Sequence, residues 1–513
     1  MLALIDDFLN RITMYRLVLY YLIAVLGAAA LFGFFGMLPL SPENLAFSTA
    51  VILAACWLTN FIFARAFGAA TNTESVYITA LILALIISPV ASTNYAGLGF
   101  LVYASAWAMA SKYIFALGKK HLFNPAALGI ALSALTIGQS ATWWVAGNFV
   151  LLPLVFFGGL LIVRKLRRFD LVLAFIVTAL AASAATSRAG DLLTPVNQTL
   201  FHSSLFFLGF VMLTEPLTMP PGRIRRIVYG AMVGVLFAPN IHIGSFYFTP
   251  ELALLAGNLF AYFTSPKGRF MLTLVKKNKL ANGVYEFVFA PDRPFPFRPG
   301  QYLEWTLPHK NPDARGNRRY FTIASSPTEP EVSVGVKCGE PMSSFKRALL
   351  ALKPGEQLSA SHLSGEFTLP QDPKRKVTFI AGGIGVTPFR SMVQYMLDTK
   401  DARGAALLYS SKTIAEIAYK DIFDRAEREL GLKIVYAVSN EPAVTPPKGA
   451  SLGPGLYGGP LNAALIRREV PDFAERTFYI SGPHGMVEAF KKSLREMGVP
   501  RWHIKVDYFP GFA

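Results

Sequence analysis

Two turns in this chain combine glycine and hydroxyl residues at spacings that can hold phosphate. The first follows the apolar run Val377–Ala381 and reads Gly382-Gly383-Ile384-Gly385-Val386-Thr387-Pro388 before a helical pattern. Glycines at a strand-to-helix turn let backbone amides face a pyrophosphate, and the helix N-terminus favours the negative charge. The second runs from Gly339 to Ser344. There Gly339 allows close backbone approach, Ser343 and Ser344 offer hydroxyls, and a helix is expected from near Phe345.

The elements around these turns are of two kinds. From Phe270 the sequence breaks into short alternating runs such as Val284–Phe289, bounded by Pro, Gly and Asn. That pattern predicts a small antiparallel barrel over 268–373. From Lys376 strands alternate with helices: strand Ala405–Tyr409, helix Ile417–Leu430, strand Ile434–Ser439, strand Phe478–Ile480, helix Gly485–Met497. Such alternation predicts a parallel sheet with helices on both faces over 374–513.

Taken in order, Phe297-Arg298-Pro299-Gly300-Gln301-Tyr302, Arg319-Tyr320-Phe321-Thr322, Gly339–Ser344, Gly382–Pro388, Ser481-Gly482-Pro483 and Asp507-Tyr508-Phe509 resemble the signatures of the ferredoxin–NADP reductase superfamily. The resemblance covers residues 268–513. It implies FAD rather than FMN in the barrel, and NADH or NADPH as hydride donor. It also implies that Thr322 places a hydroxyl near flavin N5, Tyr320 and Phe321 belong to the flavin site, and Arg319 binds the pyrophosphate. Thr387 and Pro388 would shape the nicotinamide pocket, with Gly482, Pro483 and Phe509 completing the cofactor site. Ser481 stands where the family has Cys beside the transferring hydride, and Phe321 where it has Tyr. Thr322 and Ser481 are the expected catalytic residues.

Residues 1–265 differ from all of this. They hold most of the long apolar stretches behind a hydrophobic content of 53%. Apolar runs of roughly 20 residues suit a bilayer core ~30 Å thick, and ten spans are expected at about 15–38, 46–66, 75–91, 95–117, 123–139, 142–164, 168–187, 199–215, 224–241 and 248–265. Lys and Arg cluster at every second boundary, including Lys119-Lys120, Arg164 to Arg168 and Arg223 to Arg226. The positive-inside rule then predicts a multi-pass protein of the inner (cytoplasmic) membrane, with both termini in the cytoplasm. The net charge of +17 reads as flanking charge facing anionic lipid headgroups rather than as a nucleic-acid surface. With two cysteines, Cys56 and Cys338, the chain has too few ligands for a Cys-bound iron–sulfur cluster, and no metal-ligand spacing is present.

A haem path across the membrane needs paired histidines on neighbouring helices. The apolar half offers only His121, His202 and His242, at no such spacing. Its motifs Lys120-His121-Leu122-Phe123-Asn124-Pro125-Ala126, Met212-Leu213-Thr214-Glu215-Pro216 and Gly257-Asn258 instead resemble the D subunit of Rnf electron-transport complexes and the B subunit of sodium-translocating NADH:quinone reductase. That resemblance implies membrane flavin, including FMN linked through a phosphoester to Thr. Thr194 is the matching position, where the family's Ser-Gly-Ala-Thr reads Asp191-Leu192-Leu193-Thr194. The expected function is oxidation of NAD(P)H by FAD, with electrons passing through flavin to a quinone or an extracytoplasmic flavin or haem protein. The alternative is an ion or flavin transporter driven or regulated by the reductase, with Glu74 and Glu215 as coupling residues.

Overall fold

The computed structural model describes residues 5, 8–9, 12–68, 73–117, 120–187, 192–265, 270–310, 312–313, 316–340, 342–439 and 455–509. The chain divides into two compact units, Met1–Lys267 and Gly268–Ala513.

The first unit is helical around one apolar core. Three of its helices, Pro42–Ala66, Pro125–Ile137 and Pro250–Thr264, begin alike. Ser41, Asn124 and Thr249 each accept a hydrogen bond from the third helical N–H, and proline takes the first position, where no N–H is needed. Among the described residues three helices, Met14–Phe34, Pro42–Ala66 and Phe169–Thr186, are long and apolar enough to cross a membrane.

The expectation of about ten spans is therefore overturned, because an apolar run is not the same as an unbroken helix. Thr73–Ile86 and Pro125–Ile137 have 14 and 13 residues, a rise of about 20 Å against a hydrocarbon core of ~30 Å. In the expected span 142–164 the helix starts only at Leu152. Before it, the N–H groups of Thr142 and Trp143 both donate to the Ile86 carbonyl, at 3.0 and 2.9 Å, and Trp143 adopts a left-handed φ of 53°. The expected span 199–215 is divided among the end of helix Leu193–Phe201, a short turn at Leu205–Phe207 and a π-turn at Leu208–Met212. Three spans among the described residues, an odd number, would put the two ends of the chain on opposite sides of a membrane, so the placement of both termini in the cytoplasm of an inner-membrane protein falls as well.

The second unit contains two six-stranded sheets. Its strands, numbered in chain order, are β1 (Phe270–Ala281), β2 (Val284–Pro291), β3 (Tyr302–Thr306), β4 (Arg318–Thr322), β5 (Val332–Lys337), β6 (Gln357–Ser364), β7 (Val377–Gly382), β8 (Ala405–Ser411), β9 (Lys433–Val438), β10 (Leu456–Gly458), β11 (Thr477–Pro483) and β12 (Ile504–Phe509). The first sheet is antiparallel, in the order β4-β3-β6-β1-β2-β5. In place of the expected barrel it is a ladder whose outermost strands, β4 and β5, do not pair with each other among the described residues. The second sheet is parallel throughout, in the order β10-β9-β8-β7-β11-β12. Its central strand β7 is buried along its whole length, as a strand covered on both faces must be.

Side chains tie the two sheets together. Arg390, on the helix Thr387–Thr399, forms a two-pronged ion pair with Glu329 and donates to the Ala324 carbonyl at 3.2 Å. Its neighbour Ser391 donates to the Ser325 carbonyl at 2.6 Å. Lys337, at the end of β5, pairs with Glu416 at 2.8 Å.

A second ionic group fixes the starts of β7 and β11. Asp472 accepts from Arg476 Nε at 2.6 Å and from Lys376 Nζ at 2.8 Å. The Arg476 guanidinium, and after it Lys376, holds the Asp472 carboxyl at about 2, against partial burial that acts the other way. An unfolded aspartate titrates near ~3.9. The stability from this depressed group is thus present above about pH 4 and is lost as pH falls through about 2. Asp472→Asn is expected to cost about 1 kcal/mol at neutral pH, after discounting for solvent at a carboxylate 27% exposed. Urea midpoints of the two proteins should differ at neutral pH and converge in acid. A gap that persists unchanged below about pH 2 excludes this origin.

Candidate functional site

The antiparallel and parallel sheets of the second unit share a cavity of about 400 Å³, a volume ordinary for a small-molecule site. Phe321 and Thr322, at the end of β4, line it on one side. The turn after β7 (Gly382, Gly383, Gly385 and Thr387) and the end of β11 (Gly482 and Pro483) line it on the other. The cavity thus lies outside the C-terminal ends of parallel strands, where α/β sheets bind ligands.

The turn after β7 has this shape because of its glycines. Gly383 has a left-handed φ of 53°, which side chains rarely adopt. At Gly385 a Cβ would lie 2.4 Å from the Ser481 carbonyl oxygen and 2.6 Å from the Gly482 Cα, both backbone atoms of β11. The turn therefore presses directly on the neighbouring strand. Thr387 donates to the Ile384 carbonyl at 2.7 Å, which closes the turn onto the helix Thr387–Thr399. Pro388 occupies the first turn of that helix and is buried, outside the cavity lining.

Ser481 is also outside the lining. It is fully buried in β11, and its hydroxyl has no hydrogen-bond partner among the described residues. Phe509 pairs through its backbone with Pro483 at the end of β12, and its side chain lies outside the described residues.

Along β4 the side chains alternate. Arg319 and Phe321 are buried and Tyr320 is exposed, with its hydroxyl donating to Glu304 Oε2 at 2.7 Å. The Arg319 guanidinium lies 5.2 Å from the Phe345 ring centroid, and the rings of Phe321 and Phe345 are 5.8 Å apart. Ser343 caps the helix Ser344–Ala351 by accepting from Lys346 N at 3.2 Å. A Cβ on Gly339 would meet nothing within 4 Å, so the space beside it is open.

The groups expected to bind pyrophosphate converge on one side chain, Asp313. Its Oδ1 accepts from Arg319 Nη2 at 3.3 Å, and its Oδ2 accepts from the Ser344 N–H at 3.0 Å. Its own N–H donates to the Ser344 hydroxyl at 2.9 Å, and that hydroxyl also meets His309 Nε2 at 3.0 Å. A guanidinium and a helix N-terminus already share one anion, the Asp313 carboxylate. The donor set therefore fits the diphosphate of FAD, with Asp313 standing where a phosphate would.

Lys412, which after Ser410-Ser411 reads in the sequence as either a contact for a ribose 2′-phosphate or a solvated loop lysine, faces the cavity together with those two serines. Sequence reasoning passed over other lining residues: Lys337 and Glu416, Ser439, His484 and Met486. Most follow the ends of β5, β8, β9 and β11. Their signal is positional, the C-terminal edge of a parallel sheet, and the residue types alone do not disclose it.

In the first unit, the three quoted motifs meet. Glu215 Oε1 lies 3.1 Å from His121 Nε2, and Glu215 Oε2 accepts from Asn124 Nδ2 at 2.9 Å and from Thr218 at 3.1 Å. The Asn124 N–H in turn donates to Asn258 Oδ1 at 2.8 Å. His202 and His242 are engaged elsewhere, against Phe149 and Tyr247. Glu74 pairs with Arg16 at 3.1 Å. Thr194 is exposed on the first turn of helix Leu193–Phe201, and Asp191 lies outside the described residues.

Comparison with known proteins agrees with the second unit's geometry. The family described as the oxidoreductase NAD-binding domain matches residues 379–492. The chain is 28% identical over 247 residues to the glycine betaine monooxygenase reductase subunit of Pseudomonas aeruginosa, covering 47% of this chain and 64% of that protein. It is 27% identical over 249 residues to a flavohemoprotein of Pseudomonas putida, covering 47% and 59%. Among solved structures it is similar to the flavohem-like FAD/NAD-binding domain of a nitric oxide dioxygenase from Vibrio cholerae, at 19% identity, 48% and 99% coverage and a TM-score of 0.41. The chain thus spans less than two thirds of either relative's length. The second unit is an NAD(P)H-dependent flavin oxidoreductase module that binds FAD and a nicotinamide nucleotide.

Proposed function

We propose that the whole chain is a membrane-bound reductase. In this reading the second unit oxidises NAD(P)H, and the first unit, held in a lipid bilayer by its three long apolar helices, delivers the electrons to an acceptor. The observation that carries the proposal is the single cavity joining Phe321 and Thr322 to the Gly382–Thr387 turn and Gly482-Pro483. Bound FAD supplies the conversion between two-electron hydride chemistry and one-electron transfer. This chain's own residues bind and orient. Arg319 and the helix at Ser344 hold the diphosphate, and the buried Phe321 offers an apolar wall. Thr322 presents a hydroxyl, and the Gly383–Gly385 amides hold the nicotinamide nucleotide's pyrophosphate. Ser481 backs the hydride-transfer end from inside β11.

One of the named relatives is the reductase subunit of a monooxygenase, which supports a partner that receives electrons. The first unit's resemblance to Rnf and sodium-translocating reductase subunits favours a quinone or an extracytoplasmic flavin or haem protein as that acceptor. It also favours a second flavin, FMN, near Thr194, which is exposed on the first turn of its helix.

One preparation tests these points together. The full chain, purified from its native host and precipitated with acid, is expected to release FAD and to retain a covalent flavin on the peptide containing Thr194. It should show no b-type haem band on reduction and should oxidise NAD(P)H with ferricyanide. Protein that binds no flavin sinks the reductase reading. An unmodified Thr194 peptide alongside a second, extractable flavin removes only the phosphoester.

A further inference from the structure

One ion pair in the cavity wall joins the two sheets of the second unit. Lys337, the last residue of β5, donates to Glu416 Oε2 at 2.8 Å, and both side chains line the cavity. Glu416 ends the single 3-10 turn Ile414–Glu416 that follows β8. The two side chains are 38% and 20% exposed, so the pair lies within reach of whatever enters. Among the described residues neither charge has a second ion-pair or hydrogen-bond partner.

The sheets do not depend on this pair. The backbone at Lys337 is fixed separately, because its carbonyl accepts from Lys346 Nζ at 2.9 Å. The turn that carries Glu416 is fixed too, since the Asn282 N–H, in the hairpin between β1 and β2, donates to the Ala415 carbonyl at 3.1 Å. Arg390 and Ser391 join the sheets elsewhere. Both ends of the pair are therefore held in place without the ionic contact itself. An ion pair this exposed is worth at most about fivefold in an equilibrium constant. A charge-assisted hydrogen bond to a phosphate in a cavity is worth roughly tenfold or more. A phosphate that enters the cavity thus outcompetes Glu416 for the lysine.

We infer that Lys337 and Glu416 form a latch that responds to the nicotinamide nucleotide. Lys337 leaves Glu416 for a phosphate of the bound nucleotide, and Glu416 takes the ammonium back as the oxidised nucleotide departs. Glu416 acts on the nucleotide through Lys337 and is a positioning residue that weakens binding and speeds release. The latch rests on the cavity reading proposed above. A plain tie between the sheets has the opposite sign, because loosening it would disturb the cavity and weaken binding.

The test uses the full, flavin-loaded chain in nonionic detergent, with NAD+ and NADP+ as probes in titration calorimetry and stopped-flow dissociation. Glu416→Gln is expected to bind about threefold more tightly, through slower dissociation. Adding Lys337→Gln to Glu416→Gln should then weaken binding by about tenfold, because the lysine is the group that meets the phosphate. A gain with both probes assigns the diphosphate, and a gain with NADP+ alone assigns the ribose 2′-phosphate. Binding by Glu416→Gln that is unchanged or weaker overturns the latch, as does a second substitution that costs nothing. Wild-type protein that keeps its flavin and binds neither probe fails at the cavity reading instead.

Discussion

Gly385→Ala should lower NAD(P)H oxidation by about a hundredfold while leaving FAD in place, because the turn that holds the nicotinamide nucleotide has no room for a methyl group. The added Cβ would stand 2.4 Å from the Ser481 carbonyl oxygen and 2.6 Å from the Gly482 Cα. Both are backbone atoms of β11, fixed by parallel pairing to β7 and β12, so no side chain can swing aside. Relief must come from the turn moving off the strand. A displacement of about 1 Å at a positioning element is enough for a loss of this size. The FAD donors, Arg319 and the helix at Ser344, belong to other elements and should be untouched. Stopped-flow reduction by NAD(P)H, alongside flavin content, separates the two effects. Wild-type reduction rates in a folded Gly385→Ala protein would take the turn out of the site.

The second large effect is a pair of opposite signs. Arg319→Ala should weaken FAD binding by about 2 kcal/mol, the range of one charge-assisted hydrogen bond. Asp313→Ala should strengthen it by about 1 kcal/mol. The Asp313 carboxylate occupies the Arg319 guanidinium and the Ser344 N–H at 3.3 and 3.0 Å, and FAD must displace it to use both. Removing the carboxylate takes the competing acceptor off Arg319 Nη2 and the Ser344 N–H, while Arg319 Nη1 stays on the Gly316 and Arg318 carbonyls. Recovery of flavin fluorescence on dilution gives both affinities. Unchanged binding in Arg319→Ala excludes that residue from the site. Weaker binding in Asp313→Ala would show that the aspartate supports the loop rather than competing with FAD.

The sequence was most legible where backbone geometry and residue type are tightly coupled. Gly383, at a positive φ, and Gly385, against a neighbouring backbone, mark the turn after β7 because no other residue fits there. The sequence places Tyr320 and Phe321 together at the flavin site, and the pleat of β4 then turns Phe321 inward and leaves Tyr320 exposed. Legibility failed where partners come from far along the chain. Asp313 looks like an ordinary loop acid until the fold brings Ser344 beside it, 31 residues away. The spans were misjudged for a related reason: hydropathy reports apolar side chains and is silent about backbone direction. Thr142 and Trp143 satisfy their N–H groups on Ile86 rather than within a helix, which an apolar average over 142–164 cannot register.

The ties between the two sheets bear on how such a module is inherited. Arg390 is only 9% exposed and keeps its charge in that setting through Glu329. Separating the buried Arg390 from Glu329, whose own side chain is 29% exposed, costs about 2 kcal/mol, still a sizeable share of a domain's margin. A gene cut near codon 373 would strand the arginine on one product and the glutamate on the other. Recombination that joins this reductase to a new neighbour is therefore constrained to carry both sheets as one cassette, with viable junctions falling before β1 rather than between the sheets.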